Sequence, residues 1–324
     1  MTRHRNKHTD DAFWSNHPGL FETFDSDDAD ALLSPMADEA FEAPERLRFM
    51  SFGSGSSGNC SYIGTASCGL LIDAGVDNNF VTQQLLANSI DLASIRGILL
   101  THDHGDHVRY AYAILRRNQH MRLYATPKAL QGILRRHSMS RRIVDYHTPV
   151  YKEFPFKVGP LTVTAFETSH DGTDNAGFHI EGAGTSFVIT TDTGTVTARA
   201  DHYMRLARNL MIEANYDLEM LRNGRYPQYL KARIMGTSGH LDNADTARYL
   251  ATIAPVTELR NIFLCHLSQD NNTPQIAIST VRSALEEAQM SITSSITPNP
   301  DPTSDRIHLS VLPRTACTPL IVLK

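Results

Sequence analysis

Cysteine is scarce in this chain of 324 residues, and its four copies, Cys60, Cys68, Cys265 and Cys317, lie far apart without a Cys-x-x-Cys pair. That spacing argues against a disulfide framework or a zinc ribbon and for buried thiols in a reducing compartment. Long apolar runs are missing too. Nothing approaches the roughly 18–20 consecutive apolar residues of a membrane span, and no charged start followed by an apolar stretch marks a signal peptide. A cytoplasmic protein without a membrane partner is expected. No internal repeat is evident, so a repeat architecture is not expected. The Ser/Gly loop 53–58 lacks Gly-Lys-Ser and a following helix, which excludes a Walker or dinucleotide fingerprint, although its backbone N–H groups could cradle a phosphate.

An excess of positive charge is also absent, the formal net being −5, but the charge is unevenly spread. The first 46 residues hold eleven acidic groups against four basic ones. They mix Asp25-Ser26-Asp27-Asp28 with isolated aromatics Phe13, Trp14, Phe21 and Phe24 and show no periodicity, so a disordered acidic tail over 1–46 is expected. The remainder, 47–324, is long enough for one large α/β domain, and the chain's 41% hydrophobic content is enough for its core. Residues 109–152 carry Arg109, Arg116, Arg117, Arg122, Lys128, Arg135, Arg136, Arg141, Arg142 and Lys152 against Asp145 alone, a face suited to a phosphate backbone. A second basic patch, Arg222, Arg225, Lys231 and Arg233, is interleaved with Tyr226 and Tyr229, which could stack a base. Arg225, Tyr226, Lys231 and Arg233 are therefore candidate substrate contacts, set against the alternative of a simple loop with core tyrosines.

The most informative stretch is Thr101-His102-Asp103-His104-Gly105-Asp106-His107, which follows the apolar strand Gly97-Ile98-Leu99-Leu100. Neutral imidazole and carboxylate oxygen suit a borderline-soft ion such as zinc. Along extended chain His102 and His104 point the same way, while Asp106 and His107 follow in a turn and can reach a second ion. Two ions roughly 3.5–4 Å apart can share a hydroxide and bring its pKa toward about 7. A two-metal hydrolase is the inference, with zinc and manganese both compatible. Among the 15 histidines, His4, His8, His17, His120, His137, His147, His179, His202 and His308 sit in no ligand-like spacing and are expected to be ordinary.

This spacing resembles the metallo-β-lactamase superfamily, and segments similar to its later motifs follow in order. Strand Leu70-Leu71-Ile72 ends in Asp73-Ala74-Gly75, and the resemblance makes Asp73 a buttress behind the metal ligands. Thr168-Ser169-His170-Asp171 follows a β-branched strand, and His170 resembles the third ligand of the first metal. Asp192-Thr193-Gly194 ends another strand and implies Asp192 as the carboxylate shared by both ions. His266-Leu267-Ser268 is similar to the last ligand motif of the phosphodiesterase branch, so the resemblance assigns His266 to the second metal with Asp106, His107 and Asp192. In related phosphodiesterases a histidine placed like His240 in Ser238-Gly239-His240-Leu241-Asp242-Asn243 protonates the leaving oxygen. His240 and Asp106 are therefore the expected catalytic residues.

The stretches 51–59, Glu213-Ala214-Asn215-Tyr216-Asp217 and 266–274 further resemble the YycJ/WalJ-type proteins of bacteria, over about residues 47–312. That likeness implies a 5′-directed exonuclease on DNA rather than RNA. The intervals between the motifs leave no room for a large inserted nuclease domain or a tRNA-gripping arm. The expectation is a four-layer αβ/βα sandwich with strands near 47–52, 60–63, 69–72, 161–166, 177–181, 186–191, 209–213, 261–265 and 307–312. Helices are expected at 80–87, after 108, after 242 and over 273–289. The expected activity is phosphodiester cleavage by a metal-bridged hydroxide attacking phosphorus. A small-molecule phosphodiesterase and a metal-stabilised regulatory binding protein are the alternatives.

Overall fold

The computed structural model of the protein describes residues 45–296, 298, 300, 301 and 304–323, so the tail expected over 1–46 lies outside the described residues for all but its last two positions. In chain order the first strands are β1 (Arg48–Gly53), β2 (Cys60–Gly64), β3 (Gly69–Ile72), β4 (Ile95–Leu99), β5 (Arg122–Ala125) and β6 (His147–Pro149). Then come β7 (Phe156–Val158), β8 (Leu161–Glu167), β9 (Ala176–Gly182), β10 (Thr185–Thr190), β11 (Asn209–Glu213), β12 (Asn261–Cys265), β13 (Ile292–Ser295), β14 (Ile307–Val311) and β15 (Ile321–Val322). Among the described residues these form two sheets, ordered β15-β1-β2-β3-β4-β5-β6 and β13-β14-β12-β11-β10-β9-β8-β7. Each sheet is mixed. Its hairpin side is antiparallel, and the side reached through helical crossovers is parallel, because parallel neighbours need a long connection.

Strand alternation builds the layers. Phe187 and Ile189 of β10, Met211 of β11 and Phe263 of β12 face the first sheet, where they join Phe49, Leu70, Ile72 and Leu99. Ring centroids of Phe49 and Phe187 lie 4.7 Å apart, and those of Phe49 and Phe263 5.1 Å apart. Their neighbours Val188, Leu210, Ile212, Ile262 and Leu264 face outward onto helices Ala198–Met204, Asn243–Ile253 and Pro274–Glu287. On the other side Leu71, Ile98 and Leu123 face helices Asn78–Ala87, Ala111–Arg117 and Pro127–Arg136. The result is the expected four-layer αβ/βα sandwich, with parallel strands buried on both faces and therefore apolar almost throughout. No helix among the described residues is long and apolar enough to cross a membrane.

Helix starts follow capping chemistry. Asp242 accepts from the Asp245 amide at 2.6 Å to open helix Asn243–Ile253, and Thr126 and Thr273 cap helices that begin with proline. Strands β5, β6, β7, β13 and β15 were not expected, and neither were helices Ala198–Met204, Leu218–Asn223 and Gln228–Ile234. All are short, and tertiary packing rather than local periodicity decides such segments.

Among the described residues seven non-glycine residues have left-handed φ, and three of them, Asp73 (60°), Asp192 (47°) and His266 (54°), lie just beyond the ends of β3, β10 and β12. Backbone held in this sparsely populated region turns each chain sharply where its strand stops. The same edge of the sandwich receives the loops after β4, β8 and β11, so both sheets deliver their polar residues to one place.

Candidate metal centre

The loop after β4 is fastened from behind before it offers anything to a ligand. Asp73 accepts from the Thr101 amide at 2.9 Å, from the Thr101 hydroxyl at 2.9 Å and from His107 Nδ1 at 2.7 Å. Asp103, fully buried, points the other way and accepts from the Thr173 amide at 2.9 Å and the Thr173 hydroxyl at 2.6 Å, which ties this loop to the one bearing His170. Helix Pro127–Arg136 packs so closely here that a Cβ on Gly132 would strike the Asp103 carboxylate. His137, an ordinary histidine by spacing, donates from Nε2 to the Asp103 carbonyl at 2.6 Å.

Five imidazoles each hold a neighbouring group with one nitrogen and turn the other to a common centre, where Nε2 of His107 also meets the Asn59 side-chain amide at 2.9 Å. His102 holds Thr101 Oγ1 through Nδ1 at 3.0 Å, His107 holds Asp73, and His170 donates from Nδ1 to the Gly239 carbonyl at 2.9 Å. His266 donates from Nδ1 to Glu213 Oε1 at 2.9 Å. His104 is reversed: Nε2 stands 3.3 Å from Asp171 Oδ1, and Nδ1 stands 3.3 Å from His170 Nε2. Asp192 Oδ2 lies among them, 3.4 Å from His107 Nε2, 3.6 Å from His170 Nε2 and 3.7 Å from His102 Nε2. Its other oxygen is 3.3 Å from His266 Nδ1. Asp106 Oδ2 is 3.6 Å from His107 Nε2 and 3.7 Å from His266 Nε2.

Three overlapping donor groups result among the described residues. His102, His104, His170 and Asp192 offer atoms within 4.8 Å of one another, as do Asp106, His107 and His266, and as do Asp192, His240 and His266. The residues fit divalent ions on the chemistry of the set, all imidazole nitrogen and carboxylate oxygen. They fit also on an orphan test. The buried Nε2 atoms of His102 and His266 have no hydrogen-bond partner among the described residues, a state that costs about 1–3 kcal/mol per group unless a cation faces it. Burial, reinforced by the neighbouring His107, holds His102 well below the usual imidazole value and so keeps it a neutral donor. Burial opposes the ionised form of Asp192, yet His266 and His107 hold its carboxyl well below the usual range. Burial likewise opposes a charged His266, but Asp192, Asp106 and Glu213 push it up to about 10.

Glu213 escaped the sequence reading as an individual residue. It ends β11, is fully buried, and through Oε1 binds His240 Nδ1 at 2.7 Å as well as His266, while Oε2 accepts from the Thr193 amide at 2.9 Å. An acid closing an apolar strand, as Asp73 and Asp192 do, was the available signal. Asn59 was missed too. Its amide nitrogen is 3.2 Å from Asp106 Oδ2 and 2.9 Å from His107 Nε2. His240 itself stands beside the centre, ring centroids 5.0 Å from His170 and 5.3 Å from His266, with Nδ1 taken by Glu213.

The second basic patch is reordered by the structure. Lys231, expected to meet substrate, is 6% exposed and donates to the Arg222 carbonyl at 2.6 Å, so it closes a turn instead. Arg233 reaches the centre, where Nε donates to Asp171 Oδ2 at 2.6 Å, and the pair backs His104. Tyr226 donates to Asp270 at 2.8 Å, and Arg225 is exposed. Within the first basic stretch Arg136 stands 3.5 Å from Asp103 and Arg142 3.7 Å from Asp145, whereas Arg135 and Arg141 are exposed and form no ion pair among the described residues. Cys265, next to His266, points into the core between the sheets, away from the donors, and burial pushes its thiol well up.

Residues 69–265 match the family model described as a beta-lactamase superfamily domain. The exodeoxyribonuclease YycJ of Bacillus anthracis is 32% identical over 247 residues, covering 74% of this chain and 90% of that one. The exodeoxyribonuclease WalJ of Streptococcus pneumoniae is 32% identical over 248 residues, covering 76% and 91%. Among solved structures, Zn(2+)-bound PqqB from Methylobacterium extorquens superimposes with a TM-score of 0.56 at 19% identity, covering 83% of this chain and 99% of that one.

Proposed function

The chain belongs to the metallo-β-lactamase superfamily and is a metal-dependent hydrolase, and from that premise we propose that it is a two-metal phosphodiesterase degrading DNA from the 5′ end. One site takes His102, His104 and His170, the other Asp106, His107 and His266, with Asp192 common to both. When bound, two divalent ions, zinc or manganese, supply Lewis acidity and bring the pKa of a water toward about 7. The chain's own residues do the rest. Asp73, Asp171 and Glu213 fix the orientation of His107, His104 and His266.

The observation that carries the reading is the pairing of His240 with Glu213 beside the donor cluster. Burial works against charging the His240 ring, but the Glu213 carboxylate raises its pKa above the ordinary value, which preserves a proton at Nε2. Glu213 occupies Nδ1, and no described residue hydrogen-bonds Nε2. A buried acid of this kind is needed where an alkoxide must depart, as in phosphodiester cleavage, and is superfluous for good leaving groups. The exodeoxyribonuclease names of the two 32% identical relatives support DNA as the substrate.

The test is a set of 5′-labelled, 3′-labelled and circular DNA and RNA substrates incubated with zinc or manganese and with chelator. Release of short products from linear DNA with a free 5′ end, lost on chelation, is expected. Degradation of RNA alone, or of circles as fast as linear DNA, would overturn the assignment.

A further inference from the structure

The Ser/Gly loop after β1 is anchored to the metal centre at both ends. Ser54 Oγ accepts from the His266 amide at 2.9 Å, and Asn59 donates to Asp106 Oδ2 at 3.2 Å while its own amide donates to the Asp106 carbonyl at 2.8 Å. Between these anchors the tip, Ser56 and Ser57, is exposed, and its amides donate to no acceptor among the described residues. Arg109 crosses one side of the tip, donating to the Ser57 carbonyl at 3.1 Å. Arg314 lies on the other, its stem against Gly55, and forms no ion pair among the described residues.

A cleft of about 260 Å³ opens here, lined by Ser57, Gly58, Gly75, Phe80, Arg109 and Arg314. A Cβ on Gly75 would collide with the Asp106 carbonyl, so the lining of the cleft packs directly against the backbone of Asp106. Asp77 is also part of the lining, but its Oδ1 is engaged by the amides of Asn79 and Phe80 at 2.9 and 3.2 Å.

We propose that this cleft is a substrate subsite for the nucleotide unit next to the scissile linkage, with its phosphate held by Arg109, Arg314 and the Ser56–Ser57 amides. The inference rests on the nuclease reading above and adds where the strand is gripped. Arginine offers a planar fork that matches phosphate, and successive free amides form a concave anion cradle. The apolar side of Phe80 gives the sugar or base a surface to rest on.

The experiment pairs a change in the protein with a change in the strand. Single-stranded DNA substrates carry one uncharged methylphosphonate linkage at successive positions around the cleaved bond, and kcat/KM is measured for the wild type and for the Arg109→Gln/Arg314→Gln protein. In the wild type, neutralising one linkage near the cleaved bond should lower kcat/KM on the order of tenfold. In the double variant the same neutralisation should cost less than about twofold, because the phosphate has already lost its partners. Arg314→Lys should restore part of the sensitivity. Equal losses in both proteins at every position would overturn the subsite while leaving the nuclease reading intact. A wild type that cleaves no oligonucleotide would overturn both.

Discussion

His240 and His266 are joined through one oxygen atom: Glu213 Oε1 lies 2.7 Å from Nδ1 of the first and 2.9 Å from Nδ1 of the second. A single buried carboxylate thus fixes the direction of a proposed metal ligand and of the proposed proton donor at once. Replacing it must disturb both functions together. Glu213→Gln keeps the volume but removes the charge and turns an N–H toward either the two ring nitrogens or the Thr193 amide, each of which needs an acceptor. Activity should fall about 10–100-fold, the usual cost of losing a group behind a metal ligand, with weaker metal retention measured by elemental analysis after dialysis. Normal turnover in this variant would remove Glu213 from the mechanism.

Separating acid catalysis from metal binding falls to His240. His240→Ala should keep both ions and slow cleavage of an alkyl phosphodiester by on the order of 10²–10⁴. A p-nitrophenyl ester should suffer far less, since its leaving group departs without help. An equal fall for the two substrates, or loss of metal, would make His240 a ligand or a scaffold residue.

Asp192 offers Oδ2 to His102, His107 and His170 and Oδ1 to His266. Asp192→Ala should therefore lower metal occupancy in both sites and abolish hydrolysis. Two tightly held ions per chain with near-normal rate would refute the shared role.

The exposed, unpaired arginines of the first basic stretch predict how binding responds to salt. Charge reversal at Arg135 and Arg141 should weaken DNA binding and flatten its dependence on salt, because fewer counterions are released. Arg136 and Arg142 are poorer choices, since each already faces a carboxylate. An unchanged slope in a salt titration would leave the two residues as plain solvated surface.

How much of this was legible in the sequence depends on distance along the chain. The His102 to His107 run is local, so its chemistry can be read from spacing alone. Asp73, His170, Asp192 and His266 are dispersed, and what made them readable was the resemblance of their surroundings to the superfamily's motifs, each placed near the end of an apolar strand. Glu213 also ends such a strand, Asn209–Glu213, yet it offers nothing to the centre directly and acts only through two histidines that the fold brings to it. Asn59 was hidden for a similar reason, since its partners Asp106 and His107 lie 47 and 48 positions away. Lys231 reads from its basic, aromatic-interleaved neighbourhood as a substrate contact, whereas it lies in helix Gln228–Ile234, is buried and donates to the Arg222 carbonyl. Short strands such as β5 and β6 carry too few residues to display a period.

The division of the centre between the two sheets has a bearing on synthesis. Asp106 and His107 are complete early, but His266 stands at the end of β12, which is flanked in its sheet by β11 and by β14 near residue 310. While the ribosome is still delivering the second half, the emerging polypeptide carries three of its imidazoles with nothing opposite them. The donor group that His266 shares with Asp106 and His107 therefore cannot assemble until β12 has been made and paired.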